Sequence, residues 1–314
     1  MQPGLRRLER GAKHLTPNTA GSKHLREKLA VLSRHAARAL VKEDDFDPAA
    51  ALNALALQAQ AEHPDLIAWD GECLTHRVWN VSAHQGRLHH GLHRPFELAD
   101  DVSRCLQQLP AEWRMAGLLS LSFVEDFAIV RASDATVPWM AVALPSSWAP
   151  EDKVGRHFSQ IHAPVADAER LRASGASLMQ LVCNGQAWER FVWTVSPHPR
   201  LHAHPQHLDP RGWNLPPDHG PVIPHRAWWR TERQTFLPVS SHGLSVFTIG
   251  VHIQALDAAI ATPAQAQQLH DAIASMSTAV LDYRGLTPVQ PALLQWLKNR
   301  LEVCSQDAAP QGPP

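Results

Sequence analysis

Clustered cysteine is missing from this sequence. The 314 residues hold four cysteines, Cys73, Cys105, Cys183 and Cys304, and no two form a C-x-x-C pair. Iron–sulfur ligation needs clustered thiolates and cysteine-rich zinc sites need close pairs, so both readings are disfavoured. Four distant cysteines in a chain this long are not a disulfide scaffold either. Tyrosine is nearly absent: Tyr283 stands alone beside 11 Trp and 8 Phe. No apolar run approaches the roughly 18 residues that span a membrane. The opening Met-Gln-Pro-Gly-Leu-Arg-Arg lacks the apolar stretch of a signal peptide. A cytoplasmic protein with no membrane partner is expected. No G-x-S-x-G, Walker loop, G-x-G-x-x-G or H-E-x-x-H occurs, which leaves hydrolase and nucleotide readings little support.

What is abundant is histidine, 20 residues, and proline, 25. Hydrophobic residues at 44% and charged residues at 19% make an ordinary folded chain. The net charge of −1 hides an asymmetry: residues 1–42 carry ten Lys or Arg against Glu9 and Glu27. A basic arm can touch nucleic acid or an anionic membrane. No nucleic-acid motif follows it, so a solvated tail is the reading.

Residues 1–21 lack periodicity and read as a mobile tail. Leu25, Leu29, Leu32, Ala36 and Leu40 share one stripe, an amphipathic helix over 23–42. Asp47-Pro48 opens a second helix that stops at His63-Pro64. Residues 118–132 and 137–144 read as strands joined by a hairpin. A helix is expected over 151–161. Strands follow at 178–183, 189–195, 227–231 and 244–253, and helices near 263–281 and 289–303 close the chain. Residues 196–225, with eight Pro and six His, read as a long surface loop. The class is α+β, with antiparallel strands rather than βαβ alternation. The division expected is a basic tail and helix at 1–45, one domain at 46–303 and a tail at 304–314.

Three constellations carry chemistry. His89, His90 and His93 form H-H-x-x-H, and His198, His202, His204 and His207 form H-x3-H-x-H-x2-H. Neither lies on a confident regular element or includes a carboxylate at a known spacing, so solvated loop histidines are favoured. On the expected helix 151–161, His157 and His162 border the stripe of Val154, Phe158 and Ile161 from opposite sides. Periodicity does not choose between them. The run Arg230–Thr235 is unbroken polar sequence between Trp229 and Phe236. Strand alternation puts Arg230, Glu232 and Gln234 on one face and Thr231, Arg233 and Thr235 on the other. Burying such groups is costly unless they pair or bind something. A ligand-facing strand and an exposed edge strand fit equally well.

Several segments together resemble the haem-dependent oxidative N-demethylase alpha-subunit-like family. They are VEDFAIV at 124–130, LPSSWAPEDKVGRHFSQIHAPV at 144–165, RFVWTV at 190–195, RTERQTFLPVSSHGLSVFTIGVHIQAL at 230–256 and DYRGL at 282–286. The most specific pieces are K-x-G-x-x-F-x-x-I-H-x-P-V and E-R-Q-T. Val192 stands where the family often has Asn, and Ala166 where it usually has Pro. The resemblance implies a PAS-like antiparallel sheet with flanking helices that binds haem b (iron). It implies an oxidoreductase, a haem-dependent monooxygenase that uses O2 to remove a methyl group from a small N-methylated amine. Electrons would come from a separate flavin and iron–sulfur reductase. It makes His162 the iron ligand, with His157 as alternative. Glu232, Arg233 and Thr235 become pocket candidates, and Lys153 and Arg190 propionate partners. A PAS-type haem sensor without turnover is the alternative function.

Overall fold

The computed structural model describes residues 4–91, 97–166, 169–209, 212–213 and 226–307. In chain order the first elements are β1 (Arg6–Arg7), α1 (Lys23–Ala39), β2 (Leu40–Lys42) and α2 (Ala49–Glu62). β3 (Ile67–Trp69), β4 (Cys73–His76), β5 (Val81–His84) and β6 (Arg87–His90) form a four-stranded antiparallel sheet. Next come α3 (Ala99–Gln108), α4 (Arg114–Ser122), β7 (Asp126–Arg131), β8 (Thr136–Ala141), α5 (Phe158–Ile161), α6 (Glu169–Ala173) and α7 (Gly175–Cys183). β9 (Trp188–Ser196), β10 (Trp228–Val239), β11 (Leu244–Ala255), α8 (Leu256–Ala259), α9 (Pro263–Ala274), α10 (Thr278–Tyr283) and α11 (Gln290–Asp307) complete the set.

The main sheet has seven antiparallel strands in the order β1-β9-β10-β11-β7-β8-β2. Its spine is the β10–β11 hairpin, paired from Trp228 opposite Ala255 to Val239 opposite Leu244. The hairpin closes through Gly243 at φ +60°, a conformation that favours glycine. The expected β7–β8 hairpin is present, with Arg131 and Thr136 both bonded to Asp134 in the turn. The α+β class with antiparallel strands is therefore observed. Among the described residues no helix is long and apolar enough to cross a membrane.

Residues 4–21 are not a loose tail. β1 extends the sheet edge beside β9, and β2 forms the opposite edge on β8. His14 and Leu15 are buried, and their N–H groups donate to Glu62 at 2.7 and 2.9 Å. The Asn18 amide donates to Leu121 O and Phe123 O. The segment runs extended and anchors through single contacts, so it shows no period. β1 and β2 thus share a sheet with strands that come from the expected 46–303 domain.

Other expectations change for physical reasons. Residues 118–122 belong to helix α4, where Ala116 through Ser122 are all buried and no amphipathic period exists to read. Residues 178–183 are helix α7, not strand. The helix expected over 151–161 is broken by Gly155 at φ +77°. It survives as a 3-10 turn at Pro150–Asp152 and the single turn α5. The small sheet β3–β6 had no counterpart in the sequence reading. His93, residues 210–211 and 214–225 of the Pro-rich loop, and residues 308–314 of the expected tail lie outside the described residues.

The larger core packs the main sheet against α1 through α4 and α7, and includes Leu32, Leu55, Leu119, Phe127, Trp139 and Val246. A second cluster joins Val195 and Ala227 to Leu256, Leu269, Ile273, Leu293 and Leu297 of the C-terminal helices.

Candidate functional site

The polar run Arg230–Thr235 sits on β10, between β9 and β11, so the edge-strand explanation falls. Each of its side chains must then find a partner. The register sets Arg190 opposite Gln234 and Val192 opposite Glu232. Directly opposed residues share a face. One face therefore carries Arg190, Arg230, Glu232 and Gln234, and the other carries Arg233, Thr235 and Glu189.

Arg230 is 3% exposed and is a structural anchor. Its guanidinium donates to Ser146 Oγ at 2.8 Å, Arg200 O at 2.9 Å and Leu201 O at 2.8 Å. Further along the face, Arg190 Nε donates to Gln234 Oε1, and Gln234 Nε2 donates to Glu232 Oε2. Burial lowers the Arg190 guanidinium from its ordinary value, with Glu232 opposing. The phenol of Tyr283 lies within electrostatic reach of Glu232. Burial raises it, Arg284 opposes and Glu232 adds. The indole Nε1 of Trp188, two residues before Arg190 on this face, is buried without a partner.

His162 approaches Arg190 from the turn after α5. Its ring stacks on Phe158 at 4.0 Å, and its Nδ1 lies 2.8 Å from Phe158 O. A carbonyl only accepts, so Nδ1 carries the proton and Nε2 keeps its lone pair. No described residue bonds Nε2. Burial pushes His162 down to about 4, and Arg190 and Lys153 act in the same direction. The imidazole is neutral at pH 7. Lys153 Nζ donates to Ile161 O at 3.3 Å, and burial lowers its ammonium. Gly175 makes room for this arrangement: a Cβ there would lie 2.6 Å from Phe158 Cδ1.

His157 is built differently. It caps α5, and its Nδ1 accepts from Ser159 N–H at 3.2 Å. Its neutral form must then carry the proton on Nε2, which leaves no lone pair for a metal.

The structure thus brings together His162, Lys153, Arg190 and Glu232. Arg233 and Thr235 are on the far face, engaged by the N-terminal segment. Arg233 donates to Glu189 Oε2 at 3.1 Å and Lys13 O at 2.7 Å. Thr235 Oγ1 bonds His14 Nδ1 at 2.8 Å and Thr248 Oγ1 at 2.7 Å. Alternation separated these two from Glu232, but nothing in the sequence showed that His14 would reach them. Gln234 was on the right face without a role, and Phe158 counted only as part of the apolar stripe.

The His198–His207 cluster is not a run of solvated histidines. His204 is 2% exposed and bonds Glu151 at 3.1 Å, and His202 Nε2 lies 2.8 Å from His207 Nδ1. His89 and His90 are exposed on β6. Among the described residues no three His, Cys, Asp or Glu side chains converge to hold a metal ion. What the face offers is one neutral imidazole with a free Nε2, beside two cations. That donor set suits haem, which takes a single protein nitrogen and carries its own four, with propionates for the cations.

A family model described as haem-dependent oxidative N-demethylase, alpha subunit-like, matches residues 100–294. The chain belongs to this family. In this N-demethylase alpha-subunit-like chain, Lys153, His162, Arg190, Glu232, Gln234 and Tyr283 all fall inside the matched stretch. The N-terminal strand, α1, α2 and the small sheet precede it.

Proposed function

We propose that this chain binds haem b through His162 Nε2 within a PAS-like sheet. Its function is the oxidative removal of a methyl group from a small N-methylated amine. The observation that carries the reading is the tautomer of His162, joined to the family match: Nδ1–H is held by Phe158 O, and Nε2 is free and neutral beside Lys153 and Arg190.

Bound haem would supply the O2 and one-electron chemistry that side chains lack. The rest falls to this chain's residues. Phe158 orients the imidazole through its carbonyl and ring, as the outer partner of a metal-bound histidine does. Arg190, and Lys153 less directly, supply positive charge for propionates. Glu232 is the carboxylate available to a protonated amine, and Tyr283 stands near it as a hydroxyl that can hold or pass a proton. Arg233 and Thr235 are left out of this assignment because they bond the N-terminal segment on the far face. Each turnover consumes one O2, two electrons and two protons, and releases the demethylated amine, formaldehyde and water. The electrons are assigned to a separate flavin and iron–sulfur reductase. Cys73, Cys105 and Cys183 are free thiols, in keeping with a reducing cytoplasm.

The test is formaldehyde release. Haem-loaded protein with an N-methylated amine, O2 and a reductase should give one formaldehyde per amine consumed. Haem binding with no formaldehyde from any small methylated amine would contradict turnover and leave the sensor.

A further inference from the structure

Gln234 is 6% exposed and stands between two opposite charges. Its Oε1 accepts from Arg190 and its Nε2 donates to Glu232. These two bonds fix which end of the amide is which. Among the described residues Arg190 and Glu232 form no direct ion pair. Neither Nη of Arg190 and not Oε1 of Glu232 has a hydrogen-bond partner there. Arg190 and Glu232 are both partly buried and feel each other's charge, and opposite charges in such a setting attract more than in open water. Direct pairing would use up the guanidinium fork and the free carboxylate oxygen together.

We infer that Gln234 is a neutral spacer that keeps Arg190 and Glu232 from closing on each other, and so holds an anion subsite and a cation subsite side by side. The Arg190 fork suits a carboxylate or other oxyanion in two-point contact. Glu232 Oε1 suits a protonated amine. The charges of the two ligands follow from the geometry. Their names, a haem propionate and an N-methylated ammonium, rest on the function proposed above. Gln234 is a positioning residue, since it touches neither ligand. The residues that flank it across the sheet are Arg190 and Ile249, so a carboxylate at this position would pair with Arg190 and repel Glu232. A hydrocarbon would leave the two charges free to meet.

The experiment uses the full chain, with haemin titrated by its Soret band and dimethylammonium titrated into the haem-loaded protein by calorimetry. Gln234→Leu should weaken both ligands about tenfold. Adding Arg190→Leu to Gln234→Leu should then return amine affinity to within about threefold of the starting protein, because Glu232 loses its competing partner. A merely structural role for Gln234 gives a double variant no better than the single one, and that result overturns the spacer. If Gln234→Leu fails to fold, Gln234→Glu decides. It keeps the volume and the bond to Arg190, and should weaken haemin binding, whereas haemin affinity equal to that of the starting protein overturns the inference. A starting protein that binds both ligands, with Gln234→Leu unchanged, overturns the spacer and leaves the proposed function standing. A starting protein that takes up no haemin overturns both.

Discussion

Gly175 shows how closely the site is built. Phe158 lies where a side chain on α7 would otherwise be, and His162 rests on Phe158. Gly175→Ala should move both rings. Overpacking of this kind costs about 1–3 kcal/mol, so thermal unfolding should shift down and haemin should bind more weakly than to the starting protein. An unchanged haemin affinity would show that Phe158 does not position His162. Lys28 is the matching test away from the site. It is fully buried, with Asp126 Oδ1 at 3.0 Å and bonds to Ser120 O, Phe123 O and Glu125 O. Lys28→Met leaves Asp126 buried and unpaired, a change that costs about 3–5 kcal/mol. Urea denaturation should show it as a lower midpoint with the same slope. At this scale the sequence was partly readable. Motif position pointed to His162, while the choice against His157 needed the tautomers, which depend on Phe158 O and Ser159 N and have no sequence signature.

The stretch His202–His207 ties three parts of the chain together. His202 Nδ1 donates to Ala143 O at 2.7 Å, so its Nε2 accepts from His207 Nδ1. His204 bonds Glu151, and His207 packs on His35 of α1 at 4.2 Å. The other charges at this cluster are Glu27 and Arg38 of α1 and Arg200, which donates to His207 O. Burial lowers His202 and His207 below 6.5, the neighbouring histidines adding. Burial and Arg230 lower His198 to about 4. The unfolded chain therefore takes up protons first as pH falls below 6.5. The cluster's contribution is fully present above that value and lost toward pH 4. Hydrogen exchange across 198–207 should speed up between pH 6.5 and 4 more than across β10, after correction for intrinsic rates. Equal protection at both ends would contradict it. Elements were readable where one face is wet, as in α9, and where two β-branched and aromatic runs flank a polar turn, as in the β7–β8 hairpin. They were not where every side is buried, as in α4, nor where glycine breaks a pattern, as at Gly155.

The main sheet takes both of its edge strands from the first 42 residues. That assigns the basic N-terminus a structural part. Removing residues 1–21 withdraws β1, the buried Leu15 and the His14–Thr235 contact. Leu15 alone is worth about 1.5–3 kcal/mol, so the truncated chain should melt several degrees lower. A truncation without effect on melting would restore the loose-tail reading. The α+β class was readable from strand runs without βαβ alternation, and the family from the order of motifs between residues 124 and 286. The β3–β6 sheet was not, because its strands are three or four residues long.

The central claim is that one imidazole of this chain holds haem, and haemin titration of three proteins tests it most directly. The starting protein and His157→Ala should both develop the same Soret band with saturable uptake, and His162→Ala should lose or shift it. A chain that stays colourless with haemin, or one in which His157→Ala loses the band and His162→Ala keeps it, would contradict the account.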